Sequence, residues 1–94
     1  MSYCRTTLVE FNSEKLADEA SADYSKKAPT EFPEAEILIF TRTGPTSAIV
    51  ASVYPNENIS KKATAARNAT MDKAAHRRKS AEMHQGEVIL KLVR

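Results

Sequence analysis

Glu36-Ile37-Leu38-Ile39-Phe40-Thr41-Arg42-Thr43-Gly44-Pro45-Thr46-Ser47-Ala48-Ile49-Val50-Ala51-Ser52-Val53-Tyr54 is the stretch that decides the fold. Residues 36–41 and 47–54 are apolar and rich in β-branched side chains, and the turn residues Thr43 to Thr46 separate them, so the segment reads as two antiparallel strands of one hairpin. Its alternation is unusual. A strand with one wet face should alternate apolar and polar residues, yet Leu38 and Phe40 are backed by Ile37 and Ile39, while Ile49, Ala51 and Val53 are backed by Val50 and Tyr54. Both faces of this hairpin are apolar.

Working outward, residues 3–11 form a first strand that runs into Asn12-Ser13, side chains able to cap a helix. Leu16, Ala20, Tyr24 and Ala28 then recur at a helical spacing, and Pro29 is the expected stop, giving a helix over 13–28. Pro29 to Pro33 is a connector in which Phe32 anchors the crossover. Beyond the hairpin, Asn56 or Asn58 caps a second helix over about 57–81, with Ile59, Ala63, Ala66, Thr70 and Ala74 as its inward stripe. Gly86 makes the exit, and Val88-Ile89-Leu90-Lys91-Leu92-Val93 is the expected last strand.

The order β-α-β-β-α-β in 94 residues is the ferredoxin-like α+β arrangement: a four-stranded antiparallel sheet with two helices on one face. A chain of this length supports one domain, residues 1–94. Its composition is globular, but with 3 Phe, 3 Tyr, no Trp and much alanine the core is thin. The two-sided strands therefore predict a homodimer, the free sheet face of one copy covering that of another.

Charge and cysteine content narrow the class. The net charge of +2 conceals a split, with residues 1–56 at −3 and 57–94 at +5. The bases of the second helix (Lys61, Lys62, Arg67, Lys73, Arg77, Arg78, Lys79) read as a solvated outer face, because no basic-Gly-aromatic run or other nucleic-acid motif accompanies them. Cys4 is the one cysteine, no apolar run approaches a membrane span, and no secretion-type leader opens the chain. The expectation is a reduced cytoplasmic protein with no nucleic-acid or membrane partner.

Several side chains are candidates for chemistry. His76 late in the second helix and His84 in the loop after it are too far apart in sequence to clamp a metal on one helical face, so neither a metal nor a cofactor is expected. His76 reads as a solvated helix residue or as a general base, and His84 as a residue at the mouth of a pocket. Tyr24 and Tyr54 offer phenols to a ligand oxygen, against the ordinary reading of a core tyrosine with a satisfied hydroxyl. Arg5, Arg42 and Lys91 lie on or beside strands, and each needs a partner such as Glu10, Glu36 or Glu87, or else an anionic ligand.

The short β-α-β-β-α-β chain, the Pro29 to Pro33 connector with its Phe and the two-sided strands together resemble the dimeric α+β barrel superfamily, in particular its antibiotic-biosynthesis monooxygenase group. The resemblance implies two sheets packed face to face and a small-molecule pocket in each subunit between sheet and helices. Known activities of that superfamily include cofactor-independent oxidation of quinol-like aromatics, haem degradation, lactone isomerisation and ligand sensing. Its haem-degrading branch uses an Asn, a Trp and a His together, whereas this chain has no Trp and neither Asn12 nor His76 falls in such a motif. For a monooxygenase acting on a small aromatic, the nominated polar residues are Tyr54, His76 and His84, with Phe40 and Met71 as apolar lining. The alternative is a non-catalytic binding or structural dimer.

Overall fold

A computed structural model describes all residues from Met1 to Arg94. The elements are β1 (Tyr3–Phe11), α1 (Glu14–Glu31), β2 (Ile37–Gly44), β3 (Ser47–Tyr54), α2 (Glu57–Lys73), a single 3-10 turn at Ala75–Arg77, and β4 (Arg78–Glu87). The four strands form one antiparallel sheet in the order β2-β3-β1-β4. This is the β-α-β-β-α-β order read from the sequence.

Both helices start where a side chain can take an otherwise free N–H. Ser13 Oγ accepts from Leu16 N at 3.1 Å, and Asn56 Oδ1 accepts from Ile59 N at 2.9 Å. Pro29 does not end α1 as expected. The helix continues to Glu31, and Phe32 N still donates to the Ala28 carbonyl at 2.8 Å. Proline removes one hydrogen bond, that to the Ser25 carbonyl, and Ser25 is exposed, so water can satisfy the freed group. Phe32 is the anchor its setting implied, 7% exposed.

The last third of the chain departs from the sequence reading. The second helix stops at Lys73 rather than near 81, and the final strand is Arg78–Glu87, not residues 88–93. The reason is register. β4 pairs with β1 from Phe11↔Arg78 to Tyr3↔Glu87, and Tyr3 is the first residue of β1. Beyond Glu87 the chain has run out of partner strand, and the segment that follows is held by Val88 N, which donates to the Ser2 carbonyl at 2.9 Å, and by Lys91, whose Nζ lies 3.0 Å from Glu36 Oε2 and donates to Ser2 Oγ at 3.3 Å. Hydrophobicity favoured Val88 to Val93, but ladder hydrogen bonds select the polar residues before it. Ile89, Leu90, Leu92 and Val93 are left 68–88% exposed. A bulge between Glu10 and Phe11 adds one residue on β4, and it brings Arg78 rather than Lys79 opposite Phe11.

The two sheet faces differ in cover. Phe11, Ala17 and Ala48, with Val9, Ala20 and Phe40 against them, form the small core between sheet and α1. On the opposite face Leu8, Ile39 and Ile49 are 38–51% exposed. Only 11 of 94 residues are buried, four of them polar: Arg5, Thr7, Ser52 and Ser60. A core this lean leaves open space between the layers, and the candidate site occupies it.

Candidate functional site

Between the sheet and the two helices lies a cavity of about 370 Å³, within the range of small-molecule sites, roughly 300–1,000 Å³. Its floor is the helix-facing row of the sheet: Arg5, Thr7, Val9 and Phe11 from β1, Phe40 from β2, and Val50 and Ser52 from β3. Tyr24 of α1 closes one side, its ring 5.2 Å from that of Phe40. Its hydroxyl is enclosed beside Ser52 yet makes no hydrogen bond of normal geometry. Burial raises the Tyr24 pKa, so the phenol is neutral at physiological pH.

Three arginines converge on this space. Arg5, 3% exposed, donates from Nη1 to Thr64 Oγ1 at 2.7 Å and from Nη2 to Tyr54 Oη at 3.3 Å. Its guanidinium lies over the rings of Phe32 and Tyr54, at 5.8 and 5.6 Å from their centroids. Arg67 comes from α2 and donates from Nη2 to Thr7 Oγ1 at 3.0 Å and from Nη1 to Asn68 Oδ1 at 2.9 Å. Arg78, turned inward by the bulge, donates from Nη1 to the Met71 carbonyl at 2.7 Å. None of the three is paired with a carboxylate, whereas Arg42 pairs with Asp18 at 2.9 Å and Arg77 with Asp23 at 2.7 Å. Burial, and then the like charges of Arg5 and Arg78, lower the Arg67 pKa to about 10.

Solved structures with this architecture are numerous. A protein of unknown function from Nitrosomonas europaea superposes with a TM-score of 0.82 at 15% identity, covering 99% of this chain and 94% of that one. A dimeric ferredoxin-like protein from an uncultured marine organism gives 0.77 at 8% identity, covering 99% and 92%. The fold is ferredoxin-like. SnoaB, a cofactor-independent oxygenase from Streptomyces nogalater, shares the ferredoxin-like fold at a TM-score of 0.72 and 11% identity, covering 97% and 96%. Other neighbours are described provisionally as antibiotic biosynthesis monooxygenases, the group that the sequence resembles. At such identities the likeness is one of fold. No family model matches the sequence, and no curated protein matches it.

Within this ferredoxin-like frame the nominated residues separate. Phe40 and Met71 line the cavity, and His76 stands exposed at its edge, in the 3-10 turn rather than in a helix. Tyr54 is fully buried and stands behind Arg5, which it positions. His84 belongs to β4, not to a loop. It pairs with Thr6 on the outer sheet face, where its Nε2 lies 3.1 Å from Glu82 Oε1, away from the cavity.

The sequence offers Arg5 as a binding group for an anionic ligand, but not the two arginines that the structure sets beside it, Arg67 and Arg78. The expected stripe of Ile59, Ala63, Ala66, Thr70 and Ala74 is correct in part: Ile59, Ala63 and Ala74 are half-buried, and Thr70 and Ala74 border the cavity, but Ser60, Thr64, Arg67 and Met71 also pack inward, so Arg67 does not belong to the solvated face that the sequence predicts for it. One available signal was Arg5, which shares a strand face with Thr7, Val9 and Phe11. A charge in an inward row needs a partner, and none of the acids considered for it is within reach.

Proposed function

We propose that this protein binds a small aromatic molecule between its sheet and helices and works as a homodimer. The observation that carries the proposal is the cavity itself, with Phe11, Tyr24, Phe32 and Phe40 as an aromatic wall and a few convergent polar groups beside them. Support for the dimer is the apolar outer face at Leu8, Ile39 and Ile49, a patch that a second copy of the same face would cover.

The reaction proposed is cofactor-independent oxidation of a quinol-like aromatic. Such chemistry asks for little: an apolar site to hold an electron-rich ring, a base for its hydroxyl proton and room for oxygen beside the carbanion that results. In an anthrone the ring methylene carbon loses two hydrogens and gains one oxygen atom from O2 to become a carbonyl, and the second oxygen atom leaves with those two hydrogens as water. His76 is the proposed base, since it alone of the two histidines borders the cavity. Tyr54 acts through Arg5, and His84 has no part in this scheme.

Oxygen consumption with a panel of hydroquinones and anthrones, in metal-free buffer and alongside thermal shifts for the same compounds, tests the proposal. Turnover that falls at least tenfold in His76→Ala supports the oxygenase. Thermal stabilisation without turnover identifies a binding protein, and neither effect across the panel rejects a neutral quinol-like substrate.

A further inference from the structure

We infer that the ligand of this cavity is an aromatic carboxylate, its carboxylate held among Arg5, Arg67 and Arg78 and its ring set against Tyr24 and Phe40. The inference rests on the small-molecule reading above and narrows it to one charge class.

Six cationic residues border the cavity against two carboxylates. Both carboxylates are engaged: Asp23 takes Arg77 Nη1 at 2.7 Å, and Glu31 accepts from the Thr70 hydroxyl. The guanidiniums of Arg5, Arg67 and Arg78 donate to neutral partners only. Each fork has five N–H donors, so every one of the three keeps donors free for a ligand. Three like charges gathered without a counter-ion weaken a fold, and Arg67 carries a second cost in its burial. An anion relieves the repulsion.

The geometry narrows the anion further. A planar guanidinium matches a carboxylate in two parallel hydrogen bonds. Arg5 is held against rotation by Thr64, Tyr54 and two aromatic rings, so its fork is pre-set. The enclosed, unpartnered Tyr24 hydroxyl supplies one more neutral donor. The rest of the wall is largely apolar, which suits a ring attached to the charged group better than a free inorganic ion.

The test is calorimetric titration at pH 7.5 and physiological salt with 1-hydroxy-2-naphthoate, its methyl ester and inorganic phosphate. The acid is expected to bind at least tenfold more tightly than the ester and than phosphate. Arg67→Gln should lower affinity for the acid at least tenfold and leave the ester unchanged, while the ligand-free variant melts no lower than the wild type because a repelled charge is gone. Arg78→Gln carries the same expectations should Arg67→Gln fail to fold. Equal binding of acid and ester overturns the charge assignment and leaves a neutral small-molecule site. Tighter binding of phosphate overturns it in favour of a phosphorylated ligand, and no binding by any probe overturns both this inference and the reading beneath it.

Discussion

Tyr54 Oη accepts a hydrogen bond from Arg5 Nη2 at 3.3 Å, and the same guanidinium lies 5.6 Å from the centroid of the Tyr54 ring. Two residues 49 positions apart in sequence thus hold one cation in place from two directions. Tyr54→Phe keeps the ring and removes the hydroxyl. The expected loss of stability in urea unfolding is about 1 kcal/mol, with a several-fold fall in affinity for an aromatic acid. An unchanged affinity would show that Arg5 needs no such support.

Affinity for the acid should be level from neutral pH to about pH 9 and then fall as Arg67, with its pKa lowered to about 10, loses its proton. For a base with a lowered folded pKa, the destabilising charge is fully present below that value and is relieved above it, so the ligand-free protein loses nothing from this group at high pH. Titrations across pH 7 to 11 would show the decline. A profile that stays level through pH 11 contradicts the lowered pKa of Arg67 and leaves its binding role to the Arg67→Gln titration.

The outer sheet face makes its own demand. Ile39→Asp places a charge where a second copy is proposed to pack, and an unpaired buried charge costs about 3 kcal/mol or more, roughly a hundredfold in the dimer constant. Light scattering behind size exclusion should find the wild type as a dimer and the variant as a folded monomer. A wild type that is monomeric at micromolar concentration removes the dimer.

Arg77 holds the Asp23 carboxyl below the ordinary aspartate value, chiefly by direct hydrogen bonding, and so ties the 3-10 turn beside the cavity to α1. Because the folded pKa is depressed, this contribution is complete above pH 3.8 and disappears as pH falls through the lower folded value. Asp23→Asn should lower the thermal midpoint slightly at neutral pH, the pair being partly exposed, and the difference from wild type should vanish in acid. A difference that does not shrink as pH falls below 3.8 assigns it to packing.

The parts of the fold legible in the sequence were those specified by local chemistry: the Ser13 and Asn56 caps, the hairpin through Gly44-Pro45, and the first strand. The last strand was not. Its residues, Arg78 to Glu87, are polar and owe their conformation to hydrogen bonds with β1, which depend on where β1 begins and ends. Phe40 borders the cavity because it shares the inward strand period, whereas Met71 lies one residue off the stripe expected for the second helix and yet faces the same space. Arg67 was unreadable because a periodicity drawn from apolar residues sends every arginine outward, and only an open space between the layers lets one turn in.

The lean interior around Arg5, Arg67 and Arg78 also bears on how long a molecule lasts. A ligand at about a hundred times its dissociation constant adds roughly 2.7 kcal/mol to the folded state, which lowers the unfolded population close to a hundredfold. On the proposed ligand binding, occupied molecules should outlive empty ones wherever proteases sample the open form, so that the amount of protein would follow the supply of ligand with no change in synthesis. Thermolysin digestion with and without 1-hydroxy-2-naphthoate measures that difference directly, and equal rates of cleavage at saturating ligand would refute it.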